Sequence, residues 1–148
     1  MEARIVEEII KRGDVFYANL DGDTYGSEQK GTRPVIIVQN NSGNKFSNTI
    51  IVVPITKADH KKSALPTHII LEPSNFIKYK SIILTEQIKT IDKVRLTRKV
   101  GTLSNRITEK LDTALAIAVG INTRKIIRAN LFKKFAHFLF GGNYNEYK

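Results

Sequence analysis

Short apolar runs separated by polar turns make up most of this 148-residue chain. Runs of about four to eight β-branched or aromatic residues, bounded by Gly, Pro, Asn or Asp, are typical of strands. Five or six segments have this character, the last being the weakest: 15–20, 35–38, 50–55, 66–71, 81–85 and 89–92. The runs at 35–38 and 50–55 are continuously apolar, which predicts strands that are buried on both faces.

A different spacing appears towards the C-terminus. Apolar residues recur there at intervals of three and four, as on one face of a helix: Ile107, Leu111, Ala114, Leu115, Ala118 and Val119. Ser104 or Asn105 is a candidate N-cap and Gly120 a candidate end. Residues 6–10 predict a short amphipathic turn or helix, and 40–44 a connecting loop. The pattern as a whole predicts a mainly β fold with some α: a small β-barrel closed by a C-terminal amphipathic helix.

The two ends of the chain differ from this core. Residues 122–148 hold six Lys or Arg against one Glu, with apolar residues at helical spacing. A basic amphipathic helix suits packing on its own domain or on a second copy, contact with nucleic acid or another partner, or binding at a membrane surface. We divide the chain into an N-terminal extension (1–11), a core domain (12–121) and a basic amphipathic C-terminal extension (122–148).

Composition narrows the class of protein. The formal net charge of +10 favours an anionic partner, nucleic acid before a membrane surface. The absence of cysteine excludes disulfides, zinc–thiolate sites and thiol nucleophiles. No apolar segment reaches the ~18 residues of a membrane span, and the first eleven residues do not resemble a signal peptide. We therefore expect a cytoplasmic protein.

The candidate chemistry lies where polar residues meet the two most apolar strands. A glycine-bounded polar loop, 26–31, leads to Arg33, and Pro34 opens the first of these strands. The second strand ends on Thr56. The guanidinium fork of arginine fits two phosphate oxygens, and a threonine hydroxyl can bond a third. A surface ion pair for Arg33 and a simple β-propensity choice for Thr56 are the alternatives. No His or acidic residues stand at metal-ligand spacing.

Seven short fragments, taken in order, resemble one protein family: Arg12–Val15, Gly26–Gln29, Arg33–Ile36, Gln39–Asn40, Ile55–Thr56, Leu65–His68 and Glu86–Asp92. They are similar to the MazF/PemK-type toxins, the ribonuclease halves of bacterial type II toxin–antitoxin pairs, and closest to the Gram-positive MazF branch. The resemblance covers about residues 12–121. It implies an SH3-like barrel of the CcdB/MazF type with a closing helix, which agrees with the strand pattern.

The resemblance also implies an activity and partners. Members of the family cleave single-stranded RNA, including mRNA, at specific sequences and without a metal or other cofactor. The 2′-hydroxyl of the substrate attacks, which leaves a 2′,3′-cyclic phosphate and a 5′-hydroxyl. The family forms homodimers whose RNA groove spans the interface. An acidic MazE-like antitoxin places an extended segment in that groove.

The family's catalytic arginine and threonine fall on Arg33 and Thr56. Because a guanidinium stays protonated in water, we assign Arg33 mainly to charge stabilisation and to proton donation, and the acceptor of the 2′-proton stays open. We expect residues 27–30 to form a lid over the RNA. The predicted RNA-binding residues are polar and lie in this lid or at strand ends: Ser27, Glu28, Gln29, Lys30, Gln39, Asn40, Lys57, Thr67 and Gln87.

Two other functions use the same kind of fold. A CcdB-like toxin binds DNA gyrase through a C-terminal tryptophan motif, and this chain contains no tryptophan. A non-catalytic SH3-like RNA-binding module would hold RNA and leave it intact. A test for RNA cleavage distinguishes these two functions, neither of which cuts RNA, from the ribonuclease.

Overall fold

The computed structural model describes residues 9–22, 24–59, 65–125, 128 and 131. Within these residues, strands dominate, two α-helices are described from end to end, and residues 123–125, 128 and 131 are also helical. The elements are β1 Asp14–Asn19, β2 Thr32–Ile37, α1 Asn41–Phe46, β3 Thr49–Lys57, β4 His68–Leu71, β5 Ser81–Leu84, β6 Lys89–Asp92, β7 Leu96–Thr102 and α2 Asn105–Ala118. Single turns of 3-10 helix follow β5, at Thr85–Gln87, and β6, at Lys93–Arg95.

The strands form one antiparallel sheet in the order β4-β5-β3-β2-β1-β7, with β6 attached to β3. β3 is the central strand. One edge of β3 pairs with β2. The first half of its other edge pairs with β6, where Ile50 faces Ile91, and the second half pairs with β5, where Thr56 faces Ile82. The described ladders leave β4 and β7 at the two ends, so the sheet is open.

β2 and β3 separate two apolar cores. Side chains alternate along a strand, so Val35 and Val52 join a core with Phe16, Leu20, Ile91 and Leu96, whereas Ile36 and Val53 join a second core. Burial on both faces is the reason that these two strands are continuously apolar in sequence. The prediction of two doubly buried strands is confirmed.

Helix α2 covers the second core. Its residues Leu111 and Ala114 are buried against the sheet. The Ser104 hydroxyl accepts a hydrogen bond from the backbone N–H of Ile107 at 3.4 Å, which identifies Ser104, rather than Asn105, as the N-cap. The predicted C-terminal helix is confirmed. No helix in the described part of the chain is long and apolar enough to cross a membrane.

Two elements differ from the sequence prediction. The segment predicted as a loop at 40–44 contains the start of helix α1. The side-chain oxygen of Asn40 accepts a hydrogen bond from the backbone N–H of Gly43 and so caps the first turn. Strand β7 was not predicted. It pairs only with β1 at the end of the sheet, and Leu96 is its one buried residue, so its sequence carries charged rather than apolar residues. Residues 6–8 and most of 122–148 lie outside the described residues.

Candidate active site

Arg33 and Thr56 lie just past the last residue pair of the β2–β3 ladder, Val35 with Pro54. The ladder pairs Ile36 with Val53 and Val35 with Pro54, and the same register continued by two residues sets Arg33 opposite Thr56. Side-chain alternation places both on the face of Val35 and Pro54. Both are partly exposed. The structure therefore brings together the two residues that the sequence analysis singled out.

A loop between β1 and β2 forms the lid, residues Gly26–Gly31. Its base is fixed by two hydrogen bonds, from the N–H of Gly31 to the Asp21 carboxylate at 2.8 Å and from the N–H of Leu20 to the Gly31 carbonyl at 3.1 Å. Gly26 and Gly31 have φ of +55° and +81°, in the left-handed region that favours glycine. Glycine at both ends explains why this loop can fold back over the sheet.

The lid holds the Arg33 guanidinium. Nε of Arg33 donates to the Lys30 carbonyl oxygen at 2.8 Å, a second guanidinium N–H donates to the same oxygen, and a third donates to Oε1 of Gln29. Among the described carboxylates, none forms an ion pair with Arg33. The alternative of a surface ion pair is not seen here, and the positive charge of Arg33 faces neutral acceptors.

A groove of about 460 Å³ lies between the lid and the sheet. Leu20, Val52 and Pro54 lie buried at its base, and Leu20 and Val52 belong to the core shared by β1, β2, β3 and β6. The remaining lining residues are mostly polar and come from the lid and from the segment around β6: Glu28, Gln29, Glu86, Gln87, Ile88 and Lys89. An apolar floor with amide and charged groups at its rim suits an unstacked base.

Several predicted RNA-binding residues meet at this groove. Glu28 and Gln29 line it from the lid, and Gln87 lines it from the turn before β6. Ser27 and Lys30 lie in the same lid and are exposed. The lid and the β6 side of the groove thus contain five of the nine residues.

Lys57 and Thr67 lie away from the groove. Alternation along β3 turns Lys57 to the face opposite Thr56, where its Nζ lies 4.3 Å from the ring centroid of Tyr79. The carbonyl oxygen of Thr67 accepts from the hydroxyl of Thr85 at 2.6 Å and from its N–H at 3.2 Å. Thr67 therefore fixes the start of β4 to the end of β5.

Gln39 and Asn40 lie beyond the far end of β2, about 20 Å along the strand from Arg33. Nε2 of Gln39 donates to the Thr49 carbonyl oxygen at 3.2 Å, and the side chain of Asn40 caps α1. The structure does not bring these two amides to the groove.

Sequence reasoning named Lys89 only as part of a motif and missed its position. Lys89 lines the groove, and its Nζ is buried with no hydrogen-bond partner among the described residues. Lys89 and Ile91 lie two residues apart on β6, and Ile91 is buried. This period of two was the signal that could have placed Lys89 on the groove face.

His68 is held by a residue of the groove. Nε2 of His68 lies 2.7 Å from Oε1 of Glu86, and the His68 side chain is only 7% exposed. This contact fits a structural histidine that orients Glu86. The described residues contain no group of three or more His, Asp or Glu side chains placed to hold a metal ion.

Comparison with known proteins identifies the family. A family model described as a PemK-like, MazF-like toxin of type II toxin–antitoxin systems matches residues 11–119. The chain belongs to this toxin family. The resemblance carried by the seven sequence fragments is thereby confirmed.

The relatives of this MazF-like chain agree. It is 46% identical over 114 residues to "Endoribonuclease EndoA" of Bacillus subtilis (strain 168), which covers 76% of this chain and 97% of that protein. It is 45% identical over 115 residues to "Endoribonuclease MazF" of Staphylococcus epidermidis, covering 77% and 94%. A solved mycobacterial endoribonuclease in complex with its cognate antitoxin is similar in fold, with a TM-score of 0.63, 26% identity and coverage of 76% and 97%.

Proposed function

We propose that this chain is the toxin of a type II toxin–antitoxin system and cleaves single-stranded RNA, mRNA included, at specific sequences. Family membership and two relatives named as endoribonucleases support this function. We assign the chemistry to Arg33 and Thr56. The observation that supports this assignment is the register of β2 and β3, which pairs Val35 with Pro54 and, continued by two residues, aligns Arg33 with Thr56 on the face of the groove.

The reaction is a transfer within the RNA itself. The 2′-hydroxyl gives up its proton to a base or to water while its oxygen bonds to the adjacent phosphorus. The bond from phosphorus to the 5′-oxygen breaks, and this oxygen takes up a proton from Arg33 or water, giving a 2′,3′-cyclic phosphate and a 5′-hydroxyl. Negative charge grows on the non-bridging oxygens during the step. A guanidinium fork stabilises that charge, and Arg33, which has no described carboxylate partner, is suited to it. Thr56 bonds a phosphoryl oxygen or the attacking hydroxyl.

The lid is the element that exchanges its contacts when RNA binds. Gln29 and the Lys30 carbonyl now accept hydrogen bonds from Arg33. A phosphate oxygen is a stronger acceptor for a guanidinium than a neutral amide. We therefore expect the scissile phosphate to replace Gln29 at Arg33, which frees the Gln29 amide to bind a base edge.

The apolar part of the groove suits the base next to the cleaved bond. Ile88, which is 40% exposed, offers an apolar side chain for one face of a base, and Gln29 and Gln87 stand at the rim of the groove. Amide side chains read base edges by paired donors and acceptors. Sequence preference on this account comes from the lid and from the turn before β6.

We further propose the partners that the family implies. The chain acts as a homodimer in the cytoplasm and is inhibited by an acidic MazE-like antitoxin, whose extended segment occupies the groove. A solved relative bound to its cognate antitoxin supports an antitoxin partner, and a net charge of +10 favours an acidic one. The division into 1–11, 12–121 and 122–148 remains our proposal.

The finer description of the fold is also a proposal. We propose that the sheet is an SH3-like barrel with an open seam. β3 supports this view, because it pairs with β6 in one half and with β5 in the other, as a strand does where a sheet bends into a barrel.

Cleavage of RNA in EDTA tests the function. The purified, antitoxin-free protein is incubated with a long single-stranded RNA, and the ends of all fragments are mapped. We expect cuts at discrete sites by the wild type and none by Arg33→Ala. Arg106→Ala, which removes an exposed arginine on α2, is the matched control and should cut normally. Intact RNA with folded wild-type protein would overturn the proposal in favour of a binding module or a gyrase toxin.

A further inference from the structure

We propose that Lys89 binds a backbone phosphate of the RNA near, but not directly adjacent to, the phosphate that is cleaved. Lys89 would be a positioning residue that holds the strand in register, separate from the chemistry at Arg33 and Thr56. The inference rests on the proposed function, because it names a contact of the same groove.

The Lys89 ammonium lacks an acceptor. Its Nζ is buried, and among the described residues it has no hydrogen-bond partner. Oε2 of Glu28 forms an ion pair with it at 4.0 Å, which is too long for a hydrogen bond. Burying an ammonium is costly unless it is paired and hydrogen-bonded. The free protein therefore presents a cationic site that is incompletely satisfied.

The position of Lys89 on the sheet directs it to the groove. Lys89 pairs with Val52 on the β6–β3 ladder, and it shares a face with the buried Ile91. Val52 is four residues from Thr56 along β3, a distance of about 13 Å. A strand of RNA that places one phosphate at Arg33 and Thr56 can thus place another phosphate at Lys89.

Charge exchange at the lid explains how the site opens to RNA. Glu28 belongs to the lid and stands closest to Lys89 in the free protein. When the lid moves, a phosphate oxygen can take the place of the Glu28 carboxylate at shorter distance. The other carboxylate of the groove, Glu86, is already bound to His68 at 2.7 Å. The exchange at Lys89 parallels the exchange of Gln29 for phosphate at Arg33.

Other lysines near the sheet are in a different situation. Lys57 and Lys78 lie over the ring of Tyr79, and Lys80 lies 3.4 Å from Glu72. All three are exposed. Lys89 is the only lysine among the described residues that lines the groove, so a specific phosphate contact is expected of it and not of these.

Binding and cleavage are measured separately. Binding uses a single-stranded 2′-fluoro RNA oligomer with an mRNA sequence, which lacks the attacking hydroxyls, at several salt concentrations. Cleavage uses the same sequence as RNA. The variants are Lys89→Gln, Lys89→Met and Lys89→Arg, and Lys110→Gln is the matched control, since Lys110 is an exposed lysine on α2. Thermal unfolding checks that each variant is folded.

We expect Lys89→Gln and Lys89→Met to raise both Kd and KM about tenfold or more, with kcat within about threefold of wild type. The slope of log K against log salt should fall in magnitude by about 0.7, the value for one phosphate contact on a single strand. Lys89→Arg should restore most of the affinity, and Lys110→Gln should change neither quantity.

A fall in kcat with unchanged Kd and KM would overturn the inference, and so would an unchanged salt slope in folded Lys89 variants. The binding series stands apart from the cleavage series. If the wild type binds the oligomer through Lys89 but leaves RNA intact, the phosphate contact stands and the nuclease function falls. If the wild type cleaves RNA and neither binding nor cleavage depends on Lys89, the nuclease function stands and the phosphate contact is wrong.

Discussion

The two ends of β2 carry similar residues and use them differently. Arg12 lies near the far end, where its Nε donates to the Val38 carbonyl at 3.0 Å and its guanidinium forms an ion pair with Asp112 at 2.8 Å. Arg33 lies at the near end and bonds only neutral acceptors of the lid among the described residues. The charge of Arg12 is compensated by a carboxylate, whereas Arg33 has no carboxylate partner among the described residues, and we propose that RNA phosphate supplies it.

The same contrast holds for the polar residues around each arginine. At the far end, Gln39 and Asn40 bond backbone groups of β3 and α1, and these bonds are part of regular elements. At the near end, Gln29 belongs to a glycine-bounded loop outside the strands and helices. Gln39 and Asn40 stabilise the fold because they bond the backbone of regular elements. Gln29 can bind a ligand because its bond to Arg33 can be exchanged.

The largest effect that separates the two ends is expected from Thr56→Ala. Removing one hydroxyl that bonds the reacting phosphate should lower kcat about 10²- to 10³-fold, with Kd for the 2′-fluoro oligomer and thermal stability nearly unchanged. Single-turnover cleavage and binding measurements check this result. The control is Thr90→Ala, an exposed threonine on β6, which should cut normally. If Thr56→Ala loses stability rather than turnover, Thr56 belongs with the structural end.

A smaller effect of the opposite kind is expected from Asn40→Ala. Loss of the cap of α1 should cost about 1 kcal/mol of unfolding free energy, which lowers Tm by roughly 4 °C. Cleavage below the unfolding range should stay within about twofold of wild type, because Asn40 lies about 20 Å from Arg33 along β2. Calorimetry tests the expected loss of stability, and the cleavage assay tests the expected retention of activity. A large loss of cleavage by a stable Asn40→Ala protein would place Asn40 among the RNA-binding residues.

The sequence predicted the parts of the fold that follow from burial. Continuous apolar runs identified β2 and β3, and helical spacing identified α2 with Ser104 as a candidate cap. The sequence did not predict elements whose structure depends on contacts with another segment. β7 is an edge strand whose charged residues show no apolar period, and α1 depends on a single capping bond from Asn40.

The site followed the same rule. Arg33, Thr56 and the lid could be named from motifs, but the position of Lys57 depends on which way β3 turns each side chain. Likewise the burial of the Lys89 ammonium depends on the packing of β6 beside β3 and under the lid. These are three-dimensional relations between segments, and no local pattern states them.

Replacement of one substrate hydroxyl tests the central claim most directly. The claim is that the 2′-hydroxyl of the RNA attacks the phosphate held at Arg33 and Thr56. An RNA oligomer is made with a single 2′-deoxynucleotide on the 5′ side of a mapped cleavage site, and fragments and binding are measured in EDTA. We expect no cleavage at that bond and a Kd close to that of the unmodified RNA. Cleavage at the same bond of the deoxy-substituted oligomer would contradict the account, because no attacking hydroxyl would be present.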